Sequence, residues 1–394
     1  MKSDGDLTVV ILGCGFSGML TALSFARIGI QITIIETKFI DDANFCNDIR
    51  TTALNPASEK FLKHLGLWPT IEMNAGAILD IYVVDNKAPE ILHFSLDGLL
   101  NESQDEISPA LGYIVKNSEF KQILLKEVLN NALITIKDNC NYQKIETTNE
   151  KVTVYLSNNE LITSDLLIIC DGSHSKARNY YFTPKINKYY KQTALTFNVR
   201  HEKAHQGTAV EHFMASGPFA ILPLKNQHSS SIVWTVKERQ GSMLQALPNK
   251  EFEHQVQQNF GPFLGLVNLD SQISAFPLKA YITEKYFYKR IMVIADTAHI
   301  IHPLAGQGLN QGIKDIVMLT ELIDNMGINI AILEKYQLCR EDDNLAMYII
   351  TDNLNRIFSN ENAWLWYLRR AGLKAIDHFN PIKTKLIKYA TGKR

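Results

Sequence analysis

The sequence predicts an α/β protein: a doubly wound parallel sheet interleaved with a mixed β-sheet domain and followed by a helical C-terminus. Three observations lead there. Near the start, the apolar run LTVVIL (Leu7–Leu12) is followed by a glycine-rich turn, an amphipathic stretch and a second apolar run, QITIIE (Gln31–Glu36). Far down the chain, RIMVIA (Arg290–Ala295) leads through an acid and a second glycine-rich loop into a helical pattern, GLNQGIKDIVMLTELI (Gly308–Ile323). Between the two lie short β-rich runs. In doubly wound sheets, ligands sit beyond the carboxyl ends of the strands, where Asp296 would emerge. Two such turns at opposite ends of one chain suggest a single long ligand gripped by both.

The first unit explains itself position by position. Leu7–Leu12 is apolar throughout and rich in β-branched residues, as a strand buried on both faces should be. Gly13-Cys14-Gly15-Phe16-Ser17-Gly18 then matches G-x-G-x-x-G, and a helical stretch to Arg27 ends at Gly29. Gly13 allows the tight turn, Gly15 lets the backbone approach a pyrophosphate, and Gly18 lets helix and strand pack closely. The helix start offers unpaired N–H groups and a positive dipole end to phosphates. Glu36, ending the second strand, is placed to accept hydrogen bonds from the adenosine ribose and would repel a 2′-phosphate. A bare G-x-G-x-x-G often marks an ordinary turn, but strand, helix, second strand and terminal acid together predict a Rossmann-like dinucleotide site. They do not distinguish FAD from NAD.

Further segments carry a resemblance. DLLIICDGSHSKAR (Asp165–Arg178) contains Asp171-Gly172, Ser175 and Arg178 in a D-G-x-x-S-x-x-R pattern. Ala295-Asp296-Thr297-Ala298-His299 stands where the pattern usually reads Gly-Asp-Ala-Ala-His. DIRTTALNPASEKFLKHLGLW (Asp48–Trp68), LGYIVKNSEF (Leu111–Phe120), GPFAILPL (Gly217–Leu224) and YQLCREDDNLAMYIITDNLNRIFS (Tyr336–Ser359) add longer matches. On these segments the chain resembles the single-component FAD-dependent aromatic hydroxylases, most closely the ubiquinone-biosynthesis hydroxylases of the 2-polyprenyl-phenol or 6-methoxyphenol type. The resemblance implies FAD as cofactor and NAD(P)H as transient reductant. It implies O₂ as co-substrate and ring hydroxylation of a prenylated phenol through a C4a-hydroperoxide. It also implies that Asp296 holds the ribityl chain, that Arg50 sits near flavin or pyrophosphate, and that Asp171 lines the cofactor.

Reduced flavin carries negative charge near N1 and the C2 carbonyl. A helix starting around Gly308-Leu309-Asn310 would set N–H donors and a positive dipole end against it. Gly306 and Gly308 let the backbone touch the ring, Gln307 lies between them, and Pro303 stiffens the approach. The catalytic groups are left open, since the flavin carries the chemistry and the Pro303–Gly306 loop stands near the reacting ring. The reacting oxygen must be kept from water, so a sheet is expected as a lid. Ile78–Val84, Thr193–Val199, FAILPL and Ser231–Val236 are its candidate strands. His299 and His302 form H-x-x-H, but two histidines without a third ligand are poor evidence for zinc; hydrogen bonding around the loop is the expected role.

The expected division is an FAD-binding domain from residues 1–75, 100–180 and 285–330, a substrate domain from 76–99 and 181–284, and a helical C-terminal region over 331–394. Composition excludes several classes. Formal net charge is -1, which argues against a nucleic-acid binder. That total hides a cationic tail: Arg369–Arg394 holds eight Lys or Arg against Asp377 alone. A solvated helix is the plain reading; a patch for anionic lipid or an acidic partner in a ubiquinone-synthesis complex is the sharper one. Five scattered cysteines without C-x-x-C read as reduced thiols in a cytoplasmic protein. Neither a signal peptide nor a spanning segment is visible, so a peripheral contact is the most membrane association expected. No G-x-S-x-G elbow or Walker loop appears. Other FAD enzymes of the same fold, reductase or halogenase, and a flavin-binding scaffold are the rivals. Trp364-Leu365-Trp366 lies too near the C-terminus for the halogenase motif.

Overall fold

A computed structural model of the chain describes residues 7–41, 45–85, 91–95 and 108–359. The basic tail Arg369–Arg394 and Trp364–Trp366 lie outside the described residues.

The buried strand Thr8–Leu12 is the middle of a parallel array. It pairs with Gln31–Ile35 on one side and Leu166–Ile169 on the other, Ile11 standing opposite both Ile34 and Ile168. Ile134–Lys137 extends one flank and Ile291–Val293 the other, both parallel. Phe287–Tyr288 closes the edge as an antiparallel hairpin. The chain therefore leaves the first strand in one direction and returns on its other side, which is a topological switch point. The helices Phe16–Arg27 and Gln307–Met326 contribute to the same apolar core as this sheet. They are joined by a 2.9 Å hydrogen bond between Ser24 Oγ and Thr320 Oγ1.

The second large sheet is nine-stranded and mixed. Asp80–Asp85, Pro184–His201, Gly217–Pro223 and Ser229–Lys237 all belong to it, as the four candidate runs predicted, and Asp80–Asp85 pairs in parallel with Thr208–Met214. Gly76–Ile78 departs from expectation. It pairs instead with Gly112–Lys116, which also pairs with Thr51–Leu54 in a small separate sheet.

Leu195, Phe197, Phe219, Ile221 and Trp234 share one face of the large sheet. They pack with Leu244 of the helix Glu238–Gln245 and with Phe252 and Val256 of Asn249–Phe260. The other face carries Ser231, whose Oγ accepts from Thr51 Oγ1 of the small sheet at 2.8 Å. Ile330–Phe358 is one helix of 29 residues, started by Asn329, whose side chain accepts from the Ile332 N–H.

Candidate functional site

Four parallel neighbours end side by side, and each hands the chain to one motif. Leu12 leads to Gly13, Ile35 to Glu36, Ile169 to Cys170-Asp171, and Val293 to Asp296. The glycines show which turns are shaped by protein and which are not. A Cβ on Gly13 (φ +99°) would meet the Asp171 Cα at 2.8 Å, and one on Gly18 would lie 2.0 Å from the Gly13 carbonyl oxygen. Gly306 (φ +61°) would strike the Ala53 Cβ at 2.7 Å, so it too is glycine for packing. Gly15 and Gly308 differ: a Cβ on either would meet nothing within 4 Å. Each stands at a helix start that no side chain caps. Open space beside two uncapped helix N-termini is what an anionic, planar-ended dinucleotide such as FAD requires.

Around the first turn, only backbone is offered. Cys14 is fully buried, and its thiol is pushed up to about 12 by burial and by Glu36. Its N–H donates to Glu36 Oε2 at 2.8 Å, while the Lys38 N–H donates to Glu36 Oε1 at 3.0 Å. Glu36 thus ties the turn to the second strand. Phe16 stacks on Phe120 at 5.1 Å. The Ser17 carbonyl accepts from Thr21 Oγ1, so this residue is part of the helix.

The Asp171–Arg178 motif is a clamp. Ser175 caps the helix Lys176–Tyr181 by accepting from the Arg178 N–H at 2.9 Å. Arg178 is buried, lies 4.1 Å over the Tyr281 ring, and donates to the Ser173 and Thr297 carbonyls. The Gly172 N–H donates to Thr297 Oγ1 at 2.9 Å. Both contacts fasten this loop to the one that carries Asp296. Asp171 itself is open to solvent within a concave surround, and burial pushes its carboxyl up to about 6 despite the pull of Ser175 and Arg178. Asp296 behaves alike: solvent reaches it, but enclosure raises it from the ordinary value while His299 and Arg50 oppose the rise. Arg50 pairs with Asp48 at 2.6 Å, lies 4.7 Å over the Phe276 ring, and feels the Asp296 charge.

Behind Asp296 stands a polar network not anticipated from the sequence. Asp315, fully buried, accepts from the Ala295 N–H (2.8 Å), His299 Nε2 (2.6 Å) and Arg340 Nε (2.6 Å). Burial alone would raise this carboxyl; His299 and Arg340 override it and hold it well below the usual range. Arg340 Nη2 also donates to Gln311 Oε1 and Asn344 Oδ1, each at 3.0 Å. The signal that could have found Asp315 is a charge set among Ile313, Ile316 and Leu319 on the apolar stripe of its helix.

One expectation for the loop needs correction. His302 is fully buried with both ring nitrogens unpartnered among the described residues. It meets Tyr190 edge-on at 5.0 Å instead of hydrogen bonding. The Asn310 side chain is spent on protein: it accepts from the Asn55 N–H and Ser58 Oγ and donates to the Ala53 and Gly306 carbonyls. Only its main chain is left for a ligand. Gln307 is buried, whereas Pro303, Gly308 and Leu309 keep partial exposure. Among the described residues no cluster of three His, Cys, Asp or Glu could hold a metal.

The chain is similar to known proteins in both sequence and fold. A family model described as an FAD binding domain matches residues 6–338. The ubiquinone hydroxylase UbiL of Rhodospirillum rubrum is 32% identical, over 99% of this chain and 91% of its own. The 3-demethoxyubiquinol 3-hydroxylase of Escherichia coli is 26% identical over 98% of both. In fold, the p-nitrophenol 4-monooxygenase PnpA of Pseudomonas putida superposes with a TM-score of 0.80 at 15% identity, covering 99% of each chain. HpxO of Klebsiella pneumoniae, solved with FAD and uric acid, gives 0.77 at 17% identity, over 98% of this chain and 96% of its own. The chain belongs to the FAD binding domain family and, within it, to the FAD-dependent ubiquinone hydroxylases.

Proposed function

We propose that this hydroxylase acts on the aromatic ring of a polyprenylated phenol, using O₂ and electrons from transiently bound NAD(P)H. The observation that carries the reading is that Gly15, Glu36, Asp171 and Asp296 follow four adjacent parallel strands, and that the helix carrying Gly308 packs against two of these turns at Gly312. FAD, when bound, supplies the activated oxygen. The chain's own residues do the rest. The Phe16–Arg27 helix start and Gly15 take the pyrophosphate, Glu36 the adenosine ribose, and Asp296 the ribityl hydroxyls. The N–H groups at Gln307–Asn310 face the developing negative charge of the reduced ring. The inner face of the nine-stranded sheet walls off water and offers apolar side chains to a prenyl tail.

Purified protein with FAD, NADH or NADPH, O₂ and a prenylated phenol should yield a product one oxygen atom heavier by mass spectrometry. Reoxidation giving only H₂O₂ with every phenol and both reductants would sink this reading. No helix among the described residues is long and apolar enough to cross a membrane. Contact with a lipid surface is assigned to the basic run Arg369–Arg394. Binding to anionic vesicles should weaken with salt and vanish on truncation after Leu368; salt-independent binding would contradict it.

A further inference from the structure

Glu211 sits in the strand Thr208–Met214, with Ala220 directly opposite on one neighbour and Val83 on the other. Paired residues share a face, and so do alternate residues along a strand. Glu211 therefore points the same way as Ala220, Val83, Ala209 and Phe213. This is not the face covered by helices, which carries Phe219 and Ile221. Phe213 packs with Leu304 and Phe358. Ala209 belongs to the cluster on which Ala53 packs, the residue that Gly306 abuts. The carboxylate is thus flanked by two apolar patches that both reach the Leu304–Gly306 turn.

No hydrogen-bond or ion-pair partner among the described residues reaches Glu211. Its surroundings supply little charge. Gly217–Pro223, Thr51–Leu54 and Leu304–Gly306 carry no titratable side chain, and Asp80–Asp85 contributes Asp85, opposite Phe213 on the same face. Burial alone pushes the carboxyl up to about 7. Solvent still reaches Glu211 in part, but no protein group pairs with it, and a carboxylate held between two apolar patches without a partner is a candidate for function.

We propose that Glu211 is a catalytic residue that accepts the hydroxyl proton of the phenolic substrate, an inference resting on the substrate reading above. The ring hydroxyl donates its hydrogen bond to a Glu211 Oε. Oxygen transfer delivers one electrophilic hydroxyl equivalent to a ring carbon ortho or para to that hydroxyl. An electron pair of the ring forms the new C–O bond while the substrate O–H bond breaks. Its proton passes to Glu211, leaving a dienone. The dienone then loses the hydrogen of its tetrahedral carbon as a proton, the ring becomes aromatic again, and Glu211 returns its proton to the carbonyl oxygen. The ring is oxidised by two electrons, NAD(P)H supplies two more, and the second oxygen atom of O₂ leaves as water. A base near 7 is better matched to a phenol near 10 than an ordinary glutamate near 4.

The test compares wild type, Glu211→Gln and Glu211→Asp as FAD-loaded enzymes with a prenylated phenol. It follows NAD(P)H oxidation, product, H₂O₂ and FAD content from about pH 5.5 to about pH 9. In wild type, product formation should rise with pH through about 7 as the carboxylate ionises. E211Q should keep its FAD and still oxidise NAD(P)H, but form product about 10²–10⁴-fold more slowly. It should divert oxygen to H₂O₂ and lose the limb near 7, and E211D should recover part of the rate. Wild-type product and pH limb in E211Q would overturn the proposal, as would equal loss of FAD from both variants, which would mark a packing role. No product from wild type removes the substrate reading as well.

Discussion

At Gly13 and at Ala295 the chain leaves two parallel strands of one sheet and turns with positive φ, +99° and +52°. Each turn backs onto a helix glycine. At the first, Gly18 meets the Gly13 carbonyl, backbone against backbone, and neither residue has room for a methyl. At the second, a methyl is already present. The Ala295 side chain occupies space that Gly312 leaves clear, and a Cβ on Gly312 would come within 2.8 Å of it. Left-handed backbone costs a non-glycine residue about 1–2 kcal/mol. Here Asp315 holds the conformation through the Ala295 N–H. The departure from the usual glycine is therefore paired with a specific partner, and the two turns differ in where the missing methyl is placed.

Substitutions can break that comparison. Gly18→Ala should be the most damaging, since its 2.0 Å approach to a carbonyl oxygen cannot be relieved without moving the turn. A loss of about 3 kcal/mol or more and failure to retain FAD are expected; urea unfolding and flavin absorbance would check it. Gly312→Ala should cost about 1–3 kcal/mol. Adding Ala295→Gly should restore most of this, because the nearest remaining atom of residue 295 would be Cα at 3.6 Å. A coupling energy below about 0.5 kcal/mol in that double-mutant cycle would refute the pairing. Ala295→Gly alone should change stability by less than about 1 kcal/mol. Relief of strain is offset by about 0.5–1 kcal/mol of unfolded-chain entropy and about 0.8 kcal/mol for one lost buried methyl.

Much of the cofactor side was legible because its signals are local. A glycine turn, the strand before it and the acid after the next strand lie within one βαβ unit. The groups that were missed act across distance. Asp315 and Arg340 stand on different helices, and nothing in either helix alone names the partner. Glu211 escaped for another reason. In TAVEHFM apolar and polar residues come in adjacent pairs, so no period-2 pattern says which way the acid points. In the folded protein helices cover one face, and on the other Glu211 stands between two apolar patches. The expected hydrogen bonding of His302 failed because its neighbour is Tyr190, far away in sequence.

Arg340 also sets a clock. The first glycine turn leaves the ribosome early, but the arginine that neutralises Asp315 behind the Asp296 loop comes roughly 330 residues later. At about 5–20 residues per second, the nascent chain spends on the order of tens of seconds with half of its flavin cleft synthesised and no means of closing it. During that interval the central strand Thr8–Leu12 waits for its neighbour Leu166–Ile169 with one edge unpaired. Chaperone capture in the growing cell should then fall on chains longer than the first strand pair and shorter than Arg340.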